Sequence, residues 1–117
     1  MSIILVYAKL IPMDLFQALA EPRRRQIVSL VWKHEREAGQ IHRAIGDVTF
    51  GAVSQHLKVL RDAGAVRMRA DGRRRLYRAD RTAVRAMLAR LERMWTDKLG
   101  DLRSLAEREA EAREDEP

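Results

Sequence analysis

The chain has 117 residues, which is enough for one compact domain and too few for two of ordinary size. Hydrophobic residues make up 46% of the chain and aromatic residues 5%, so the core is expected to consist of Leu, Val, Ile, Ala and Met, which favours helices. The absence of cysteine excludes disulfides, thiolate metal sites and cysteine redox sensing.

Charge is unevenly distributed along the chain, whose formal net charge is +6. Residues 107–116 hold six acidic residues against two arginines, a balance of −4, so the remainder carries +10. A body this basic favours a polyanionic partner, because neutralised phosphates release condensed counterions. Nucleic acid is the leading candidate, and an anionic membrane surface is the alternative.

The first twelve residues form an apolar, β-favouring segment that ends at Pro12. Its apolar run is too short to span a bilayer and lacks the basic start and small-residue cleavage pattern of a signal peptide. Two interpretations are open: an ordered dimer element, or a leader ahead of a domain that begins near Met13. We expect a soluble, cytoplasmic protein.

Four helices are predicted in the first half of the chain, over residues 14–20, 22–37, 40–45 and 50–63. Gly39 is interpreted as the stop signal of the second helix and Gly46 as that of the third. Thr49 is a good N-cap for the fourth, whose apolar stripe is Val53, Leu57 and Leu60. The last two helices and the tight turn between them have the helix-turn-helix pattern.

A basic β-hairpin is predicted next. Residues 66–70 alternate apolar with basic side chains, Asp71-Gly72 is a strong turn signal, and residues 73–79 supply the return strand. The pattern leaves the faces of Leu76 and Tyr77 open.

A long amphipathic helix completes the predicted domain, residues 13–105, with Asp80 as its N-cap. Its apolar residues recur at spacings of three and four, and such a stripe in a small protein needs a partner surface. We therefore expect a homodimer through the terminal helices. The expected interface residues are Leu15, Phe16, Val84, Leu88, Leu91, Trp95 and Leu99. Residues 106–117 lack apolar periodicity and are expected to form a disordered acidic tail.

Three segments resemble a known family: Ala-Leu-Ala-Glu-Pro-Arg-Arg-Arg-Gln-Ile-Val at 18–28, Val-Ser-Gln-His-Leu-Lys-Val-Leu-Arg-Asp-Ala-Gly-Ala-Val at 53–66, and Asp-Gly-Arg-Arg-Arg-Leu-Tyr-Arg at 71–78. From about residue 14 to 100 the chain resembles the ArsR family of winged helix-turn-helix repressors. The resemblance implies a mainly α fold with a small β-hairpin. It also implies a homodimer that binds a twofold-symmetric operator in double-stranded DNA and represses transcription there.

Carried onto this sequence, the resemblance implies DNA contacts from the fourth helix and from the tip of the hairpin, the wing. Gln55 can reach a base edge bidentately, with adenine preferred, whereas Ser54 and Lys58 suit phosphates. Phe50 either contacts a thymine methyl or packs on the preceding helix, and His56 has a similar packing alternative. The expected contacts are Thr49, Phe50, Gly51, Ala52, Ser54, Gln55, His56 and Lys58, with Arg73, Arg74 and Arg75 at the wing tip; the alternative for these arginines is a solvated turn.

Three arginines, Arg23, Arg24 and Arg25, stand at the start of the second helix. Like charge opposes the helix dipole there, and a bound phosphate would relieve the conflict. Arg24 is therefore included among the expected DNA contacts. The alternative is that one arginine pairs with Glu21 or Asp14 while the others are solvated.

No metal or other cofactor is expected. The family's metal sites use cysteine pairs near the recognition helix or Asp and His pairs along the last helix, and the histidines here are all outside that helix. The alternative is a metal sensor with a non-standard site built from His34, His42, Glu35 and Glu37. No phosphate loop, His-Glu-x-x-His or nucleophile motif points to an enzyme. A basic module that docks an acidic protein or a membrane is the rival function.

Overall fold

The computed structural model describes residues 13–114. In chain order its elements are α1 (Met13–Ala20), α2 (Pro22–Leu30), α3 (Ala38–Ile45), α4 (Phe50–Asp62), β1 (Val66–Asp71), β2 (Arg74–Ala79) and α5 (Arg81–Glu114). The described chain is mainly helical with one antiparallel hairpin, which confirms the predicted fold class. The predicted N-terminal apolar segment, residues 1–12, lies outside the described residues.

The helix-turn-helix unit consists of α3 and α4, joined by residues 46–49. Gly46 has a φ of +86°, a conformation that L side chains rarely adopt, and its N–H donates to the carbonyl of His42 at 3.0 Å. The hydroxyl of Thr49 accepts a 3.0 Å hydrogen bond from the N–H of Ala52. The predicted stop of α3 and the predicted N-cap of α4 are both confirmed.

The predicted end of α2 is wrong, because the helix stops at Leu30 and not near Glu37. The N–H of Val31 closes the helix on the carbonyl of Ile27 at 3.2 Å. Arg36 then exchanges two backbone hydrogen bonds with Tyr77 of β2, at 2.9 and 2.8 Å. This extended pairing is incompatible with a helix, and its partner is too distant in sequence for a local signal to show it.

β1 and β2 pair from Val66 opposite Ala79 to Asp71 opposite Arg74. Leu76 and Tyr77, whose faces the sequence left open, are only 5% and 9% exposed. Since neighbouring strand residues point to opposite faces, both faces of β2 are covered at this position.

The core lies where α1, α2, α3, α4 and the base of the hairpin meet. The predicted stripe of α4, formed by Val53, Leu57 and Leu60, is buried, which confirms that prediction. It packs in one cluster with Ile27 and Ile41, both fully buried. This packing decides which face of α4 turns outward.

α5 is a single helix of 34 residues. Asp80 caps it as predicted, since its carboxylate accepts the N–H of Ala83 at 3.1 Å. The helix passes the predicted end near residue 105, so residues 106–114 of the expected disordered tail are helical instead. Ala, Glu and Arg are strong helix formers, and Arg113 pairs with Glu109 one turn earlier at 2.6 Å. Residues 115–117 lie outside the described range.

Candidate nucleic-acid interface

The start of α4 is held by a contact between the two helices of the helix-turn-helix unit. Nε2 of His42 lies 2.9 Å from the carbonyl oxygen of Val48, in the turn, and the His42 ring meets the ring of Phe50 edge-on at 5.8 Å. Phe50 thus packs on the preceding helix, yet half of its side chain is exposed. The ring contact agrees with the packing interpretation, and the exposed half of the side chain leaves a contact with a thymine methyl as a prediction.

The outward face of α4 presents short and polar side chains. Gly51, Ser54, Gln55 and Lys58 are exposed, as is Thr49 at the cap, while Ala52 and His56 are half-buried. Within the described residues, no hydrogen bond or ion pair engages the side chains of Ser54, Gln55 or Lys58. Their hydrogen-bonding groups are therefore available to an external partner.

Glu21, the N-cap of α2, lies close to His56. Burial raises the pKa of the Glu21 carboxyl, but hydrogen bonds from the N–H groups of Arg24 and Arg23 and the charge of His56 bring the pKa below its usual value. His56 is thus half-buried near a carboxylate, and among the described residues no backbone hydrogen bond holds its ring.

The arginines at the start of α2 have intramolecular partners. Arg24 donates from Nε to the carbonyl of Ala18 at 2.6 Å, and Arg25 donates to the carbonyls of Leu19 and Ala20 at 3.0 and 2.8 Å. These contacts cap the carbonyl end of α1, where helical carbonyls lack partners.

The first of the three, Arg23, forms an ion pair with Asp47 in the turn before α4. The structure therefore gives all three arginines internal partners. The alternative of one pair with Glu21 or Asp14 and two solvated arginines is wrong, because the one carboxylate partner is Asp47 and the other two arginines bind backbone carbonyls.

The wing divides its arginines into two kinds. Arg73 and Arg75 are exposed, and no other described residue binds their guanidinium groups. Arg74 instead forms an ion pair with Glu37 at the start of α3. Gly72, with a φ of +62°, makes the tight turn between the strands.

Two exposed arginines beside this surface escaped the sequence reasoning. Arg43 lies in the last turn of α3, and Arg61 lies three residues beyond Lys58 on α4. Neither has a described partner. The helical period could have indicated Arg61, because Lys58 and Arg61 share one face of α4. Arg43 could have been predicted from its position on α3, since the first helix of a helix-turn-helix crosses the DNA backbone.

The expected dimer residues separate into buried and exposed groups. Leu15 and Val84 are 3% and 6% exposed, because they pack inside the protomer where α1 meets α2, α4 and α5. The others remain on the surface: Leu91 is half-buried, and Phe16, Leu88, Trp95 and Leu99 are exposed. Leu102 and Leu105 extend this exposed stripe along α5.

Three of the four residues considered for a non-standard metal site have other contacts. Glu35 and Glu37 bind Arg69 and Arg74, and His42 contacts the Val48 carbonyl. In the described range, no three His, Asp or Glu side chains come together as a metal site. No helix between residues 13 and 114 is long and apolar enough to cross a membrane.

Comparison with known proteins identifies the family. Residues 21–67, from α2 into β1, match the profile described as bacterial regulatory protein, arsR family. Over 96 residues the chain is 38% identical to the HTH-type transcriptional regulator Rv2034 of Mycobacterium tuberculosis, an alignment covering 82% of this chain and 89% of that protein. The chain belongs to the ArsR family. It is also 32% identical to the transcriptional activator HlyU of Vibrio cholerae, over 69% of this chain and 74% of the relative.

Solved structures agree with this assignment. A possible transcriptional regulator for arsenical resistance superposes with a TM-score of 0.66 at 36% identity, covering 78% of this chain and 94% of that one. A homodimeric winged helix-turn-helix DNA-binding domain, Mb0332 of Mycobacterium bovis, gives a TM-score of 0.60 at 30% identity, covering 74% and 78%. This ArsR-family chain is a DNA-binding transcriptional regulator and not an enzyme.

Proposed function

We propose that this regulator binds, as a homodimer and without a metal, to a twofold-symmetric operator and represses transcription there. In this proposal α4 enters the major groove and the wing follows the neighbouring backbone. The proposed DNA contacts are Thr49, Phe50, Gly51, Ala52, Ser54, Gln55, His56 and Lys58 on α4 and its cap, and Arg73 and Arg75 on the wing. Arg24 is left out because its guanidinium caps α1.

The observation that carries the proposal is the row of unpartnered polar side chains on α4. Its inward stripe is packed in the core, so Gln55 cannot turn inward, and its amide has no described partner. A Gln amide can bond N6 and N7 of adenine together, a contact worth about 1–3 kcal/mol of discrimination. Gln55 is therefore the residue we assign to base reading.

Phosphate contacts come from the charged residues around this centre. Lys58 and Arg61 continue along the exposed side of α4, and Arg43 lies on α3. Arg73 is at the wing tip. Such contacts set orientation and affinity and carry no direct sequence information.

A second copy of the chain is the proposed partner of α5. Trp95, Leu99, Leu102 and Leu105 are 53–63% exposed, in a contiguous apolar stripe that no residue from 13 to 114 of the same protomer covers. Beside it, Phe16 and Leu88 line an open apolar groove of about 410 Å³ between α1 and α5. Contiguous exposed apolar stripes mark interaction surfaces, and the related Mb0332 domain is described as homodimeric.

The order of residues along α5 favours an antiparallel arrangement of the two helices. Leu91 and Leu88 precede Trp95 by four and seven residues, and Leu99 and Leu102 follow it at the same distances. With Trp95 on the twofold axis, Leu91 meets the partner's Leu99, as an isologous interface requires. Residues 81–94 carry a net charge of +3 and residues 96–114 of −2, so antiparallel helices place opposite charges together.

Repression is proposed because a dimer seated across a promoter occupies DNA that the polymerase needs. The relative HlyU is named an activator, so the direction of regulation needs its own measurement. A reporter gene under the chain's own promoter should rise in expression when the regulator is deleted. A fall would show activation.

The DNA proposal is tested by titrating the protein against its own promoter fragment and a shuffled fragment at several salt concentrations. We expect tighter binding to the promoter, protected in two patches about one helical turn apart, roughly 34–36 Å. Gln55→Ala should reduce the preference, whereas Gln17→Ala, a matched change on the exposed side of α1, should not. Equal, weak binding to both fragments would contradict sequence-specific recognition.

A further inference from the structure

The loop before α3 lies along β2 and presents two carboxylates to the wing. Arg36 exchanges backbone hydrogen bonds with Tyr77, so this loop acts as a short third strand beside β2. Side chains alternate along an extended segment, which places Glu35 and Glu37 together on the face opposite to Arg36.

Each carboxylate binds one arginine of the hairpin. Arg69 of β1 donates from Nε to both oxygens of Glu35, at 2.9 and 3.1 Å, and from Nη2 at 2.5 Å, which is a two-pronged contact. Arg74 of β2 donates from Nε to Glu37. The bond from Arg69 holds the pKa of Glu35 below its usual value, and the bond to Glu37 raises the pKa of Arg74.

Neighbouring arginines of the wing differ from these two. Arg73 is in the turn, and Arg75 points to the face opposite to Arg74 because it is the next residue along β2. Both are exposed, with no partner among the described residues. Three consecutive arginines, which the sequence presents as equivalent, are therefore not equivalent in the fold.

We propose that Glu35 and Glu37 form a carboxylate brace that holds the hairpin against α3 and withdraws Arg69 and Arg74 from DNA, leaving Arg73 and Arg75 as the phosphate contacts of the wing. The assignment of Arg73 and Arg75 rests on the proposed DNA-binding function, whereas the brace itself does not.

The charge balance gives the reason. A guanidinium that already binds a carboxylate must give up that partner to contact a phosphate. The number of ion pairs that the arginine forms is then the same before and after DNA binds. An unpaired guanidinium neutralises a phosphate outright and releases its counterion. We therefore expect Arg75 to contribute to the slope of log K against log salt, and Arg74 to make no contribution to it.

The test measures the slope of log K against log salt on a short synthetic duplex of arbitrary sequence. Arg75→Ala should make the slope shallower by about 0.9, the value for one lost phosphate contact on duplex DNA. Glu37→Gln should make the slope steeper by about 0.9, because it releases Arg74 to the DNA. The charge-neutral double variant Glu37→Gln with Arg74→Ala should keep the wild-type slope. A shallower slope in the double variant would show that Arg74 holds a phosphate and would overturn the proposal.

A second measurement without DNA tests the brace alone. The amide of Tyr77 donates to the carbonyl of Arg36, so its hydrogen exchange reports whether the hairpin stays on the loop. Glu35→Gln combined with Glu37→Gln should lose protection at this amide, and Arg75→Ala should keep it. Unchanged exchange would refute the brace, even if no variant bound DNA, and loss of all salt-dependent binding in the wild type would refute only the DNA-binding function.

Discussion

Trp95→Ala should abolish the proposed dimer through α5. Trp95 lies at the centre of the α5 stripe and is 63% exposed in the protomer. A tryptophan buries up to about 250 Å², so a covering partner removes roughly 160 Å² from water. At about 25 cal/mol per Å² this contributes about 4 kcal/mol per chain, or about 3 kcal/mol after allowing for the surface that alanine keeps.

Twofold symmetry doubles the effect, because both chains carry the substitution. A loss of about 6 kcal/mol raises the dissociation constant of the dimer on the order of 10⁴-fold. Sedimentation equilibrium over a range of concentrations measures that constant. Thr96→Ala, at an exposed neighbouring position on α5, is the control and should sediment as the wild type does.

Tryptophan fluorescence gives an independent reading. The chain has two tryptophans, so in a Trp32→Phe background the emission comes from Trp95 alone. It should shift to shorter wavelength as the concentration rises and the ring leaves water. A Trp95→Ala protein that remains a dimer of wild-type affinity, or a Trp95 emission that never shifts, would refute the α5 interface.

Three further predictions concern the fold and the groove contacts. Gln55→Ala should reduce discrimination at one base in each half-site by about 1–3 kcal/mol. Competition with operator variants that differ at a single base measures this discrimination. An unchanged base preference would show that Gln55 does not contact a base. Thr49→Ala should lower the free energy of unfolding by about 1 kcal/mol by removing the α4 cap, and Thr49→Ser should restore it.

The third concerns pH: the Ala83 N–H and then Arg67 hold the pKa of Asp80 below its usual 3.8, so its stabilisation is complete above that pH and lost as the pH falls below it. Asp80→Ala should cost about 1 kcal/mol at neutral pH. In denaturant titrations at several pH values, the difference in free energy of unfolding between the wild type and Asp80→Ala should shrink in acid. A difference that does not change with pH would refute this role of Asp80.

Local signals were sufficient for the helix-turn-helix unit and the hairpin turn. Gly46 and Gly72 take left-handed conformations, and Thr49 caps α4 by its own hydroxyl. Each of these depends on residues within a few positions of itself, so the sequence expresses them directly. The buried stripe of α4 follows from the helical period in the same way.

Features that depend on distant pairing were not predictable in this way. α2 cannot continue to Glu37 because Arg36 pairs with Tyr77, and Arg74 reaches Glu37 because that loop lies beside β2. Both facts require the tertiary arrangement. The same holds for Arg24, whose partner is a carbonyl of α1, since backbone acceptors carry no mark in a sequence.

The two surfaces of the proposed regulator fail in distinguishable ways. A defect on α4, such as loss of Gln55, lowers the affinity of the dimer for the operator by a factor that does not depend on protein concentration. A defect on α5, such as loss of Trp95, shifts the monomer–dimer equilibrium, and mass action restores operator binding when the protein is concentrated. Binding curves for α5 variants should therefore steepen toward second order in protein, whereas those of α4 variants should keep the wild-type shape and move along the concentration axis.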